Sequence, residues 1–467
     1  MPGFSKTPPY ITPPVPDQTP INVLPVEILA IIFNSGADMQ AESANPGFEV
    51  LVSHVCQRWR TVALKAATLW NRVSFDEGPP FERSRTYIER SRKAPLYIEI
   101  NCDALYHEDD EDPTNGPVFP EDLPAIYGLI LPHVGCWRSF KIMVRSPTIM
   151  HRVLLVLSSA GPAPELHKLV LIYFMPNDRN DADEFFYPAS LREPLLPFGG
   201  IAPNLRHLEL WGVHLDWECA ASRAGLETLQ LAYHARDVRP SFAAFAHILS
   251  SSPALRRLAL IESGPAGGVE NWPELPLRIR LGDVDQLVFV FLYQSVVLAL
   301  LARLELPALR HLTLGDLDLE EDAGDHGAVL RALVGDGEGG LARQLESLEV
   351  AGLRAKEADV RALYNVMPGL QTFELDALQA GGHFFNCLLP AEGAAPLPCL
   401  ESLKTTGISG RQMCAIVKAR AAANMPLKRV SMARGDVVSS KQRTWLRKRV
   451  DFTRFGYVNG YSDSMDD

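Results

Sequence analysis

The chain has 467 residues, 47% hydrophobic and 22% charged, an ordinary globular composition that allows a large core. A net charge of -11 and a pI near 5.6 exclude a general nucleic-acid binder, which needs clustered Lys and Arg, though not a local basic patch. Cys56, Cys102, Cys136, Cys219, Cys387, Cys399 and Cys414 lie far apart with no CxxC pair, which fits reduced thiols in an intracellular protein, cytoplasmic or nuclear.

Residues 1–20, "MPGFSKTPPYITPPVPDQTP", are proline-rich and lack an apolar run, so they read as disordered and not as a signal peptide. Residues 21–75 read as a small helical domain. In "LPVEILAIIF", Pro25 suits a first helical position and Glu27 favours the helix dipole. Ile28, Leu29, Ile32 and Phe33 then form one broad helical stripe with Leu24 ahead of it. In "VSHVCQRWRTVAL" the spacing continues through Leu51, Val52, Val55, Cys56, Trp59, Val62 and Ala63, and "KAATLWNRVSF" closes the unit with Leu69 and Trp70. Two or three short helices make a thin core by themselves, and a partner is the natural cover for their apolar side chains.

This stretch resembles an F-box. Leu24, Pro25, Glu27, Ile28, Leu29, Ile32 and Phe33 match the opening Leu-Pro-x-Glu-Ile-Leu and Ile-Phe elements. Val55, Cys56 and Trp59 match the Val-Cys-x-x-Trp element, and Leu69 and Trp70 the closing Leu-Trp. The wording is most similar to F-box-like proteins of mushroom-forming fungi. The resemblance covers residues ~20 to ~75 and implies helices that dock on a Skp-family adaptor, and through it a cullin, by Leu24, Pro25, Ile28, Leu29, Ile32, Phe33, Val55, Cys56, Trp59, Leu69 and Trp70. Ala67 stands where the family has Pro, and the loop after Phe33 is long. A scaffold whose front helices bind no adaptor therefore stays open.

Residues 76–130 read as a connecting segment and solenoid cap. "RSRTYIERSRKAPLYIEIN" gives a helix, Pro95 and a strand, and 107–122, "HEDDEDPTNGPVFPED", reads as a mobile acidic loop. From 131 to 452 one template, Leu-x-x-Leu-x-Leu, returns as "LHKLVL", "LRHLEL", "LETLQL", "LRRLAL" and "LRHLTL", with looser copies "LESLEV", "LQTFEL", "LESLKT" and "LKRVSM". "WRSFKIMV" and "VDQLVF" complete the series. Starts run from 137 to 427 with a mean spacing of 29 and a scatter of 21 to 39. Helix, Pro, strand order recurs in "SFAAFAHILSSSPALRRLAL", "EADVRALYNVMPGLQTFEL" and "RQMCAIVKARAAANMPLKRVSM". The expected class is α/β: a small N-terminal helical domain, then an irregular leucine-rich-repeat-like solenoid with a strand and a helix per repeat. The Asn or Cys of the standard repeat is replaced by Phe174, Val213, Leu317, Leu353 and Leu378, so no polar side-chain ladder is expected.

Alternation turns the second and third Leu inward and exposes the residues beside them. Those place His207, Glu209, Trp211, Gln230, Arg257, His311, Glu349 and Glu374 as candidate target-binding residues. Residues 453–467 read as a disordered tail, and the four bases around "WLRKRV" as a solvated helix or a nuclear signal.

The apolar run 287–306 is broken by Gln294 and Ser295 and reads as strand then helix, so no membrane span is expected. No GxSxG, HExxH, P-loop or post-strand GxGxxG occurs, and "GDGEGG" carries acids that would repel phosphate. No catalytic residue, metal site or cofactor is assigned. By resemblance the chain is expected to be the substrate-recognition subunit of a Skp–cullin–F-box ubiquitin ligase, holding an unknown protein target, with no nucleic acid and no membrane as partner.

Overall fold

The computed structural model describes residues 20–39, 47–102, 118–173, 185–220, 225–274, 278–317, 325–335, 340–376, 383–389 and 396–456. The chain divides into two compact units, residues 1–100 with 104–139, and residues 101–103 with 140–467. The first unit thus joins the expected helical domain to most of the connecting segment.

The first unit holds α1 (Val26–Met39), α2 (Phe48–Val55), α3 (Gln57–Lys65), a 3-10 turn Ala67–Trp70, β1 (Arg72–Phe75), α4 (Glu82–Ser91), β2 (Leu96–Asn101) and α5 (Leu123–Ile130). β3 (Trp137–Val144) carries the boundary between the units. β1 pairs with β2 in parallel. The core gathers Leu29, Phe33, Val52, Val62, Ala63, Leu69 and Trp70. Gly36 lets α2 approach α1, since a Cβ there would meet the Phe48 ring at 2.3 Å. Cys56 caps α3, its Sγ accepting the Trp59 N–H at 3.4 Å. The thiol is exposed and acts on the helix end, where packing into the helix face was expected. Pro120–Asp122 is a 3-10 turn held by the Asp122 carboxylate on the Phe119 N–H, so the acidic stretch is structured from 118 and not a loop throughout. Residues 107–117 and 1–19 lie outside the described residues.

The second unit begins with α6 (Pro147–Ser159) and β4 (Lys168–Tyr173). β5 (His207–Trp211), α7 (Trp217–Ala220), β6 (Thr228–Ala232), α8 (Phe242–Ser250) and β7 (Arg257–Ile261) follow. A short pair, β8 (Ile279–Arg280) with β10 (Leu304–Glu305), brackets β9 (Gln286–Val290) and α9 (Gln294–Arg303). The later repeats are β11 (His311–Gly315), α10 (Gly327–Val334), β12 (Ser347–Ala351), α11 (Glu357–Asn365), β13 (Thr372–Asp376) and α12 (His383–Asn386). Then come β14 (Ser402–Thr406), α13 (Gly410–Ala422), β15 (Arg429–Ala433), α14 (Ser440–Arg447) and β16 (Asp451–Phe455). The last strand extends to Phe455, past the expected solenoid end at 452 and into the segment expected to be disordered. Residues 457–467 lie outside the described residues.

From β4 to β16 the strands lie in one parallel sheet, in chain order with β8 and β10 set aside. The leucine template fixes the register. Leu169, Leu208, Leu229, Leu258, Leu287, Leu312, Leu348, Phe373, Leu403, Val430 and Phe452 stand side by side along the array. The row two residues on, Leu171, Leu210, Leu231, Leu260, Phe289, Leu314, Val350, Leu375, Thr405 and Met432, is equally aligned and buried. Helices cover this side, with Phe242, Phe245, Ile248 and Leu249 of α8 buried as their spacing requires. Only the strands keep strict register, so the 21- and 39-residue spacings are absorbed in the connections.

Of the positions where the standard repeat has Asn or Cys, Val213, Leu317 and Leu353 are buried apolar residues. Phe174 and Leu378 lie outside the described residues. A backbone ladder takes the place of the Asn ladder. Gly212, Tyr233, Glu262, Phe291, Asp316 and Gly352, each the first residue past its strand, have positive φ between 43° and 67°. Their N–H groups donate to Ala232, Ile261, Val290, Gly315, Ala351 and Asp376 of the next strand, at 2.7 to 3.4 Å. Four of these six positions are not glycine, at a cost of about 1–2 kcal/mol each.

Two buried features have consequences for stability. Thr405 occupies a core position of the template, and its Oγ1 has no hydrogen-bond partner among the described residues. Thr405→Val should raise stability by about 1 kcal/mol, read as a higher urea midpoint at unchanged slope. His234 is fully buried: Nε2 must donate to the Val213 carbonyl (2.9 Å), which leaves Nδ1 to accept from the Ser263 hydroxyl (2.8 Å). Both nitrogens are used by the neutral ring, and burial pushes its pKa from 6.5 down to about 3. Burial also lowers His214. The unfolded chain protonates near pH 6.5 while the folded chain does not, so stability is full above 6.5 and falls with pH below it. Denaturation at pH 5.5 should show a loss of about 1.4 kcal/mol from His234 relative to pH 7.5, and His234→Gln should remove that slope.

Candidate interaction surfaces

The candidate residues of the first unit divide into two groups. Leu29, Phe33, Leu69 and Trp70 are interior. The Trp70 indole N–H donates to Ala63 O at 2.8 Å, Tyr87 stands edge-on to its ring and the Arg90 guanidinium lies 4.3 Å from the ring centre. Trp59 is half-buried with its ring 5.0 Å from Phe33, and the Leu24 carbonyl accepts from the Arg58 guanidinium. These residues build the unit.

Pro25, Ile28, Ile32, Val55 and Cys56 face outward. The stripe read as one face of α1 is therefore two adjacent faces. Leu29 and Phe33 point in; Ile28 (42% exposed) and Ile32 (40%) point out. Ile31 shares the outer face, and Val26 in the first turn, Val23 and Leu51 are also exposed. Those four were not among the expected contacts, although Ile31 could have been found from its i+3 spacing to Ile28. A helix of fourteen residues that leaves Val26, Ile28, Ile31 and Ile32 in water presents a surface without intramolecular cover among the described residues.

In the second unit the sheet face opposite the helices carries the other candidates. His207, Glu209, Trp211, Arg257, Glu349 and Glu374 are half-exposed there and His311 is exposed. Gln230 is buried, 3% exposed, and its Oε1 accepts from the Arg257 guanidinium at 2.7 Å. It orients Arg257 and offers little surface of its own, contrary to the expectation from alternation. Lys168 pairs with Glu209 (3.0 Å) on the first of these strands. On the later ones Thr313 donates to Glu349 (3.0 Å), and Lys404 pairs with Glu374 (2.7 Å). Burial, with Glu374 beside it, raises the Glu349 carboxyl above its usual range. Burial lowers His207 and Arg257.

Between these polar ends the face is apolar. Ala232, Ala259, Ile261, Val288 and Val290 form a cluster on the sheet, with Trp211, Tyr233 and Phe291 packed against it. The Trp211 and Tyr233 rings are 5.6 Å apart. Tyr233 and Phe291 are two of the left-handed residues, and that backbone conformation brings their rings to this cluster. Sequence alternation missed it. The signal was the unbroken apolar runs "LALI" and "LVFV", which mark strands covered on both faces.

Among the described residues no group of three or more His, Cys, Asp or Glu is placed to hold a metal ion, and no helix is long and apolar enough to cross a membrane. The division on α1 has a direct test. Ile28→Asp should shift unfolding of the purified chain by no more than about 0.5 kcal/mol. Phe33→Ala should cost about 3–5 kcal/mol, with loss of the near-ultraviolet signal of the first unit.

No protein-family model matches the chain, and no curated protein is similar to it by sequence. Among solved structures it is similar to a crystal structure of a Rad7 and Elc1 complex in yeast, at 14% identity and a TM-score of 0.35, covering 91% of this chain and 92% of that one.

Proposed function

We propose that the chain is the substrate-recognition subunit of a Skp–cullin–F-box type ubiquitin ligase. The front helices bind the Skp-family adaptor, and the open sheet face of the repeats binds a protein target. The observation that carries this reading is the outer face of α1, where Ile28, Ile31 and Ile32 are exposed next to a complete core. Fully covering one such side chain is worth about 1.5–3 kcal/mol, so a partner that covers several gains a large apolar term. The outward members of the expected adaptor set, Pro25, Ile28, Ile32, Val55 and Cys56, are the contact residues in this reading. Leu29, Phe33, Trp59, Leu69 and Trp70 hold them in place.

The chain makes no covalent bond in this role. It fixes a target with the half-exposed Trp211, Tyr233 and Phe291, which overlie the buried cluster around Ile261, and with the flanking ionic groups, and other subunits transfer ubiquitin. Aromatic and Arg side chains at the centre of a surface supply most of the energy of a protein interface, and Trp211, Tyr233, Phe291 and Arg257 are of that kind.

One observation favours a second reading, a repeat scaffold that binds no adaptor. Four residues of the motif, Leu29, Phe33, Leu69 and Trp70, are accounted for by the core of the unit itself. Co-expression with a Skp-family adaptor, affinity purification and size exclusion separate the two. The expected result is a stoichiometric complex that is lost in Ile28→Asp/Ile31→Asp. A wild-type chain that elutes monodisperse and free of adaptor leaves the scaffold.

A further inference from the structure

Residues 407–456 contain twelve Lys and Arg and two acids, Asp436 and Asp451. This net +10 sits in a chain whose total is -11, so the other residues carry -21. Averaging over the chain hides the segregation.

The structure places these bases. α14 turns Leu446 into the array and leaves Lys441, Arg443, Arg447, Lys448 and Arg449 on the surface. A capping box at Ser439 and Gln442 starts the helix and fixes the direction of its side chains. α13 packs against α14 and adds exposed Arg411 and Lys418. Elsewhere in the same unit exposed bases find acids: Lys168 with Glu209, Arg310 with Glu346, Arg331 with Asp359, Arg361 with Glu357. Among the described residues none of the five bases on α14 and the turn beyond it has an ion-pair partner. Of the two nearby acids, Asp436 is engaged, its Oδ1 accepting the Gly407 N–H at 2.8 Å.

One further feature selects among anions. The apolar residue of α14 points inward and Trp445 is overlaid by Arg449, 4.1 Å from the ring centre, so α14 itself presents no apolar face to a bilayer. Exposed Arg and Lys without ion-pair partners among the described residues, distributed around α14 and the turn beyond it, suit contact with phosphates. We propose that this C-terminal cap binds the phosphodiester backbone of a nucleic acid, through Lys441, Arg443, Arg447, Lys448 and Arg449. The binding is independent of whether the front helices take an adaptor.

The test uses the full chain and fluorescence anisotropy with a labelled 20-base-pair DNA duplex and a 20-nucleotide single-stranded RNA, between 50 and 200 mM salt. The expected result is binding to at least one of them, with log K falling against log salt at a slope of about -4.5 for the duplex and about -3.5 for the single strand. Which one binds identifies the source of the phosphates. Lys441→Gln/Arg443→Gln/Arg447→Gln/Lys448→Gln should weaken binding at least tenfold and flatten the slope, with an unchanged melting midpoint. Arg443→Lys/Arg447→Lys should retain binding. No binding at 50 mM salt, or equal binding by the four-Gln variant, overturns the proposal. Equal displacement by poly-glutamate of the same charge, or binding only to phosphatidylserine vesicles, overturns it in favour of an acidic protein or a membrane.

Discussion

The second unit depends on one backbone interaction repeated along the array: just past six of its strands a residue enters the left-handed region and gives its N–H to the next strand. Gly212, Tyr233, Glu262, Phe291, Asp316 and Gly352 do this in turn. The bond ends one strand and aligns the next at the same point, so strand length and register are set together. A side-chain ladder of Asn would require one residue type at each step. A main-chain ladder requires only a conformation, which the template tolerates with Tyr, Glu, Phe and Asp as well as Gly. That freedom lets the strain of positive φ be used: at Tyr233 and Phe291 it brings an aromatic ring against the outer face.

Most of this architecture was legible in the sequence because burial has a period. The second and third Leu of each copy recur at fixed offsets, and the structure pairs those positions across every neighbouring strand from β4 to β15. Helix, Pro, strand order was legible for the same reason, as with α8 ahead of β7. What escaped was whatever departs from one buried and one open face. Ala232, Ala259, Ile261, Val288 and Val290 are covered on the side expected to be open. Gln230, polar and on that side, was expected to be exposed and is instead buried beneath Arg257.

The front unit shows a limit of another kind. A 3.6-residue period locates an apolar face but does not say how wide the core-facing part is. Ile28, Leu29, Ile32 and Phe33 form one stripe on paper, and only the neighbouring helices decide that Leu29 and Phe33 are inside. The motif match also mixes two causes. Trp70 sits where it does because its indole N–H needs the Ala63 carbonyl, whereas no contact within the unit's core accounts for the position of Ile31.

The outer face of α1 has a consequence for abundance. A chain that folds with four large aliphatic side chains in water exists in a less favourable state alone than covered, so its concentration is tied by mass action to whatever covers it. Made in excess, the uncovered fraction resembles a partly unfolded protein to the chaperones and proteases that survey such surfaces. If a partner covers the stripe as proposed, the stripe sets a stoichiometry as well as a contact: copies in excess of that partner are the ones exposed to removal.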